Sequence, residues 1–266
     1  MPNRPLAAFD IETIPDPDVG RRIFGLEGDD AAVVKQMFEK RLEETEGRTG
    51  YPQLPHQRVV TIGVAWMESE SVRFKIGTVG GDAMDERSHL EGFFALFRDA
   101  ATAPRLISWN GSGFDLPVIR YRSMLHGIAA PQFYREDGDW KRNNYQNRFH
   151  DLHVDLMDAL SGYGASRRVG LGTLSELVGL PGKSFIEGEV WEHVFSGEAE
   201  IVREYCKVDV LLTLLLYLDW EVHRGSLEAQ RLRQYVEGIR ESLRQEPFAG
   251  WREIVAELEG WPAWGG

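Results

Sequence analysis

The sequence contains a single cysteine, Cys206, among 266 residues. An intrachain disulfide is therefore excluded, and so is a zinc site built on several thiolates. A reducing compartment suits such a chain. No apolar run comes near the roughly 20 residues needed to span a bilayer. The start, Met1 to Leu6, lacks the apolar centre of a signal peptide. Both absences point to a cytoplasmic protein with no membrane partner. Basic residues are also few. Thirty Lys and Arg stand against 42 Asp and Glu, a net charge of −12. A chain so acidic repels polyanions, which counts against a general nucleic-acid binder. Internal repeats and low-complexity linkers are missing as well.

What is present is the material of a folded core. The hydrophobic content is 42%, with eight Trp, thirteen Phe and eight Tyr that need burial. The length fits one large domain or two small ones, and the order of elements favours a single domain over 1–266. Charge is spread unevenly. Residues 187–266 hold 16 acids and 8 bases, whereas 120–148 hold 6 bases (Arg120, Arg122, Arg135, Lys141, Arg142, Arg148) and 3 acids. The plain reading of the basic stretch is a solvated loop.

Leu6 to Thr13 is a short apolar strand pattern that Pro15 and Pro17 should stop. Residues 18–50 have apolar positions at helical spacing within a polar background, a helical excursion on the surface. Val59 to Met67 and Val72 to Val79 read as two strands joined by a turn at Glu68-Ser69-Glu70-Ser71. A helix is expected over Ser88 to Ala101, and a buried strand over Arg105 to Trp109. The glycine turn Asn110-Gly111-Ser112-Gly113 follows, then a helix from Leu116 to Leu125 with Pro117 near its start. Residues 130–148 read as an irregular loop, and His150 to Leu156 as a short strand. Helices are expected over Gly170 to Val178, Ala199 to Val222 and 226–245, before a Trp- and Gly-rich tail. The order of elements describes an α/β fold with a mixed sheet and helical additions.

Three acidic positions stand out. Asp10 and Glu12 lie two apart on a strand, so both side chains face one way among apolar neighbours. Such a pair either binds turn N–H groups before Pro15 or holds a hard divalent cation such as Mg²⁺. Asp115 follows the glycine turn and opens a helix, where an acid commonly serves as N-cap. Tyr205 and Asp209 lie four apart on one face of an apolar helix. A buried Asp209 needs a partner, and Lys207 or an arginine elsewhere would be the ordinary one.

In combination these residues resemble the DEDD superfamily of 3′-to-5′ exonucleases, in the subgroup with tyrosine in its third motif. Phe9-Asp10-Ile11-Glu12-Thr13 looks like the first motif, and Asn110-Gly111-Ser112-Gly113-Phe114-Asp115-Leu116-Pro117 like the second. Tyr205-Cys206-Lys207-Val208-Asp209-Val210 looks like the third. The resemblance covers residues 6 to about 222. Within it the sequence is similar to a stand-alone bacterial family related to the exonuclease domain of family B DNA polymerases. His153-Val154-Asp155-Leu156-Met157 and Gly182-Lys183 also resemble that family.

The resemblance implies a ribonuclease H-like fold, with a mixed five-stranded sheet flanked by helices. Residues 15–57 would be an insertion and 223–266 a helical extension. It implies two divalent cations, Mg²⁺ or Mn²⁺, held by Asp10, Glu12, Asp115 and Asp209. Tyr205 would orient the attacking water, and the substrate would be the 3′ end of a single-stranded nucleic acid, DNA in preference to RNA. Asn110, Phe114 and Thr13 would lie beside the terminal nucleotides, and Lys183 would touch a phosphate. Phe114 can equally be a core anchor, and Lys183 an ordinary surface lysine. His153 and Asp155 would support the strand or the site without being ligands. Two other functions fit the same residues. One is non-catalytic nucleic-acid binding on this fold. The other is a different metal-dependent phosphoesterase, such as an RNA-trimming exoribonuclease.

Overall fold

The computed structural model describes residues 4–81, 84–100, 102–136, 145–146, 152–181, 189–261 and 264. Five strands form one sheet: β1 (Leu6–Pro15), β2 (Gln57–Met67), β3 (Phe74–Thr78), β4 (Arg105–Ser108) and β5 (His153–Asp155), in the spatial order β3-β2-β1-β4-β5. β1 pairs antiparallel with β2 and parallel with β4. β2 pairs antiparallel with β3, and β4 parallel with β5. The sheet is thus mixed, as the order of elements implies. β1 lies at its centre, which is why its sequence is almost unbroken in apolar character.

β1 does not stop at Thr13. It runs on through Ile14 and Pro15, which pair with Arg58 and Gln57 of β2. Proline is tolerated there because β4 accompanies β1 only from Leu6 to Ala8. Beyond that point the far edge of β1 has no strand beside it, so a missing N–H costs no ladder bond.

The ten helices among the described residues are α1 (Pro17–Phe24), α2 (Asp30–Glu44), α3 (Glu86–Ala95), α4 (Asp115–Leu125), α5 (Leu156–Leu160), α6 (Leu171–Leu177), α7 (Val190–Phe195), α8 (Ala199–His223), α9 (Ala229–Leu243) and α10 (Gly250–Glu257). Side chains alternate along β1 and divide the core between two faces. Ala7, Phe9 and Ile11 pack with Leu90 and Phe93 of α3 and Val118 and Ile119 of α4. Leu6 and Ala8 pack on the other face with α8, whose apolar residues also receive α9, α10 and Trp261. The C-terminal helices therefore complete the second core layer. None of the described helices is long and apolar enough to cross a membrane.

Three expectations change. The segment 18–50 is helical but not merely superficial. Val33 and Val34 are fully buried, and Val34 joins Ile14, Val60, Trp191 and Val202 in a third apolar cluster. The basic stretch is not wholly solvated, because Arg122 is buried in an ion-pair network. The helix expected over 88–101 begins at Glu86 under an Asp85 cap and ends at Ala95. α5 and α7, of five and six residues, are too short to show a helical period in sequence. α10 hides in the Trp-rich tail because it begins with glycine. Residues 130–136 and 145–146 contain no helix or strand, as a loop reading requires.

Candidate active site

The site begins where two strands part. β4 ends at Ser108 while β1 continues, so the N–H of Ile11 faces no strand on that side. The carboxylate of Asp115 takes the missing place, with Ile11 N–H donating to Asp115 Oδ1 at 3.1 Å. A buried N–H must find such a partner. Asp115 is buried on the first residue of α4, next to the N-cap Phe114. It is therefore not the N-cap, and its oxygens turn towards β1. Burial pushes its pKa up to about 7, against the opposing effect of hydrogen bonds from its own N–H, from Ile11 and with the side chain of Asp10.

The turn that delivers Asp115 is held by Asp155 at the end of β5. Asp155 accepts from the N–H of Asn110 at 3.0 Å and of Ser112 at 2.9 Å, and its side chain also caps α5. Asn110 adopts a left-handed φ of 65°, which asparagine tolerates better than most residues. Gly111 is needed because a Cβ there would lie 2.4 Å from Ser108 Oγ. Beneath the turn, His153 Nε2 lies 2.8 Å from the same Oγ, and its ring packs against Phe9. Burial holds His153 down at about 4, so it is a neutral strut. His153 and Asp155 therefore hold the turn through Ser108, Asn110 and Ser112.

The third arm is α8. It crosses β2 at Gly63, the residue opposite Asp10 in the ladder. A Cβ at Gly63 would lie 2.8 Å from Cys206 Sγ, so only glycine lets α8 come this close. Cys206 Sγ in turn lies 3.6 Å from the Asp10 carbonyl and 4.0 Å from Asp10 Oδ2. One ligand-type atom each from Asp10, Glu12 and Cys206 lies within 4.8 Å of the others. The thiol is pushed well up by burial and by the charges of Asp10, Glu12 and Asp209. It stays protonated and acts as a spacer. Half-buried Tyr205 precedes it, and buried Asp209 follows one turn later. Lys207 is not the neutralising partner of Asp209. Its ammonium bonds Glu204 at 2.5 Å and lies 3.6 Å from Glu246.

Asp10, Glu12 and Asp115 thus meet at one end of β1, and the helix bearing Tyr205 and Asp209 is pressed against them. Thr13, next on the strand, lies 3.2 Å from the hydroxyl of Tyr51. The Tyr51 ring sits 6.1 Å from that of Phe114, which is also packed against the apolar layer under α3 and α4. Asn110 lies in the turn four residues before Phe114. Lys183 falls outside the described residues. Sequence reasoning missed Tyr51, whose segment carries no motif. It also passed over Cys206, although that residue sits inside the third motif.

The sequence model of a family described as "Predicted 3'-5' exonuclease related to the exonuclease domain of PolB" matches residues 49–257. That span takes in Asn110, Phe114, Asp115, Tyr205 and Asp209 and begins after Asp10 and Glu12. Among solved structures, the family B DNA polymerase from the hyperthermophilic archaeon Pyrobaculum calidifontis is similar over 90% of this chain, with a TM-score of 0.50 and 18% identity. The chain spans 28% of the length of that polymerase. The likeness is one of fold, and the mixed sheet with its flanking helices fits the ribonuclease H-like fold. No protein of curated function matches the chain.

Proposed function

The chain belongs to the family of predicted 3′-5′ exonucleases related to the exonuclease domain of PolB, and from that premise we propose that it is a metal-dependent 3′-5′ exonuclease acting on single-stranded DNA. One observation carries this reading. Asp115 bonds both the backbone and the acidic side chain of β1, while Cys206 wedges the Tyr205–Asp209 turn of α8 against the same acids.

The donor set fits divalent cations. Its side chains are carboxylates, the oxygen donors that Mg²⁺ and Mn²⁺ prefer. Burial raises the proton affinity of Asp115, and a bound cation would offset that cost. Asp10, Glu12, Asp115 and Asp209 would hold the ions. Bound there, divalent cations supply Lewis-acid activation of an attacking water and charge stabilisation for the departing 3′-oxygen.

The protein's own groups do the rest. Tyr205 orients the water through its hydroxyl. Phe114 and Asn110 border the place of the terminal nucleotide. The water oxygen bonds to phosphorus as the bond to the 3′-oxygen breaks, and a proton ends on that oxygen. The products are a nucleoside 5′-monophosphate and a strand one residue shorter.

The test is degradation of a labelled single strand in Mg²⁺ or Mn²⁺ by wild type and by Asp10→Ala. Successive loss of 3′ nucleotides by wild type is expected, with a fall of about a hundred- to a thousandfold in the variant, the scale of removing one preorganised stabilising group. Equal degradation by both proteins would refute the reading. Parallel DNA and RNA strands, with free and blocked 3′ ends, separate it from exoribonuclease activity.

A further inference from the structure

We propose that Tyr51 is a substrate-contacting residue: with Phe114 it forms an aromatic seat for the unpaired base at the 3′ end of the substrate. This rests on the exonuclease reading and gives the 15–57 segment a part in it.

Tyr51 lies near the end of that segment, after α2 and its closing turn. The ring is 46% exposed, although it sits among residues of the site. Its hydroxyl lies 3.2 Å from Thr13 Oγ1, one residue beyond Glu12. Its ring lies 6.1 Å from Phe114, one residue before Asp115. Both aromatic rings are thus tied to positions next to carboxylates of the cluster. Glu12, Asp115 and Glu189 lie close enough to bear on the Tyr51 hydroxyl. The angle of 56° between the rings means that they are not stacked on one another, and Tyr51 keeps part of its surface open to solvent. A pinned ring with an open face is suited to stacking, because little side-chain freedom is left to lose on binding. Base stacking also tolerates any sequence, as an exonuclease requires.

The acidic character of the chain sharpens the argument. A net charge of −12 weakens long-range attraction to phosphates and leaves more of the affinity to other contacts. Stacking depends little on that charge. The Tyr51 hydroxyl acts by fixing the ring through Thr13 rather than by taking part in the chemistry.

The experiment compares wild type, Tyr51→Phe and Tyr51→Leu. The probe is an oligothymidylate with 2-aminopurine at its 3′ end, whose fluorescence falls when the base stacks on an aromatic ring. Binding is read in EDTA and hydrolysis in Mn²⁺. Tyr51→Phe should keep the quenching. Tyr51→Leu should lose most of it and raise KM about tenfold while kcat changes less, the scale of one lost stacking contact. Unchanged quenching and KM in Tyr51→Leu would overturn the proposal. So would equal losses in both variants accompanied by a fall in melting temperature, since that marks a structural latch. A wild-type protein that cleaves no strand strikes the exonuclease reading instead, and the quenching still decides Tyr51.

Discussion

Among single residues, His153 gives the clearest pH dependence. Its buried ring sits at about 4, against an ordinary value of 6.5. Protonation therefore favours the unfolded chain. The stability tied to the neutral ring is complete above about pH 6.5 and is lost as the pH falls towards 4. Across that window the loss is roughly 3 kcal/mol at most. Urea unfolding at about pH 7 and about pH 4.5 should show it. His153→Gln can still bond Ser108 but cannot be protonated, so its curve should be flatter by that amount. An equal acid loss in the variant would place the titration elsewhere. Neighbouring residues show how much of the site could be read from sequence. Asp10 and Glu12 were legible because a strand puts them on one side. The need for Gly63 was not, since its contact with Cys206 joins residues 143 apart, and no local pattern encodes a helix crossing a sheet.

At the scale of elements, one buried knot ties the 15–57 segment to the core. Arg122 of α4 donates to Glu86 of α3 through Nε at 2.7 Å and Nη2 at 2.6 Å, and Nη2 lies 2.7 Å from Asp16, the cap of α1. The N–H of Val59 on β2 and the ring of His126 also bond Glu86. Removing one member of a buried pair leaves uncompensated charge, at a cost of about 3–5 kcal/mol. Arg122→Met should lose about that much stability in denaturant titration, and α1 and α2 should become the first sites of protease cleavage. A loss below about 1 kcal/mol would show that water reaches the knot. The order and kind of the long elements were legible because their periods are long enough to register. α8 and the paired strands β2 and β3 follow their patterns closely. α5 and α7 did not register, and β1 exceeded its expected end because the stop signal at Pro15 depends on which neighbours flank the strand.

For the whole molecule, the balance of charge decides how the site behaves. A cluster of carboxylates in an already acidic protein makes folding and cation binding mutually supportive. Mn²⁺ at about a hundred times its dissociation constant should stabilise the fold by roughly 2.7 kcal/mol, a rise in melting temperature of about 5–10 °C. Calorimetry of wild type and Asp10→Ala checks it, and the shift should be absent from the variant. An equal shift in both would put the ions outside the carboxylate cluster. The ribonuclease H-like architecture could be expected because the three short motifs resemble those of a superfamily that carries that fold. The place of Tyr51 beside Thr13 and Phe114 could not, because the segment bearing it is held by the Arg122 knot and by burial against α7, neither of which has a sequence signature.

The early end of β4 has a practical outcome for anyone seeking an inert yet intact form of this molecule. Asp115 has two duties, one towards substrate chemistry under the proposed function and one towards the main chain of its neighbour. Trimming it to alanine would strand the Ile11 amide and confuse lost turnover with a damaged scaffold. Under the proposed function, an inactive version that keeps its fold is better made at Asp10 or Glu12, or with an isosteric amide at Asp115, whose oxygen can go on serving the Ile11 amide.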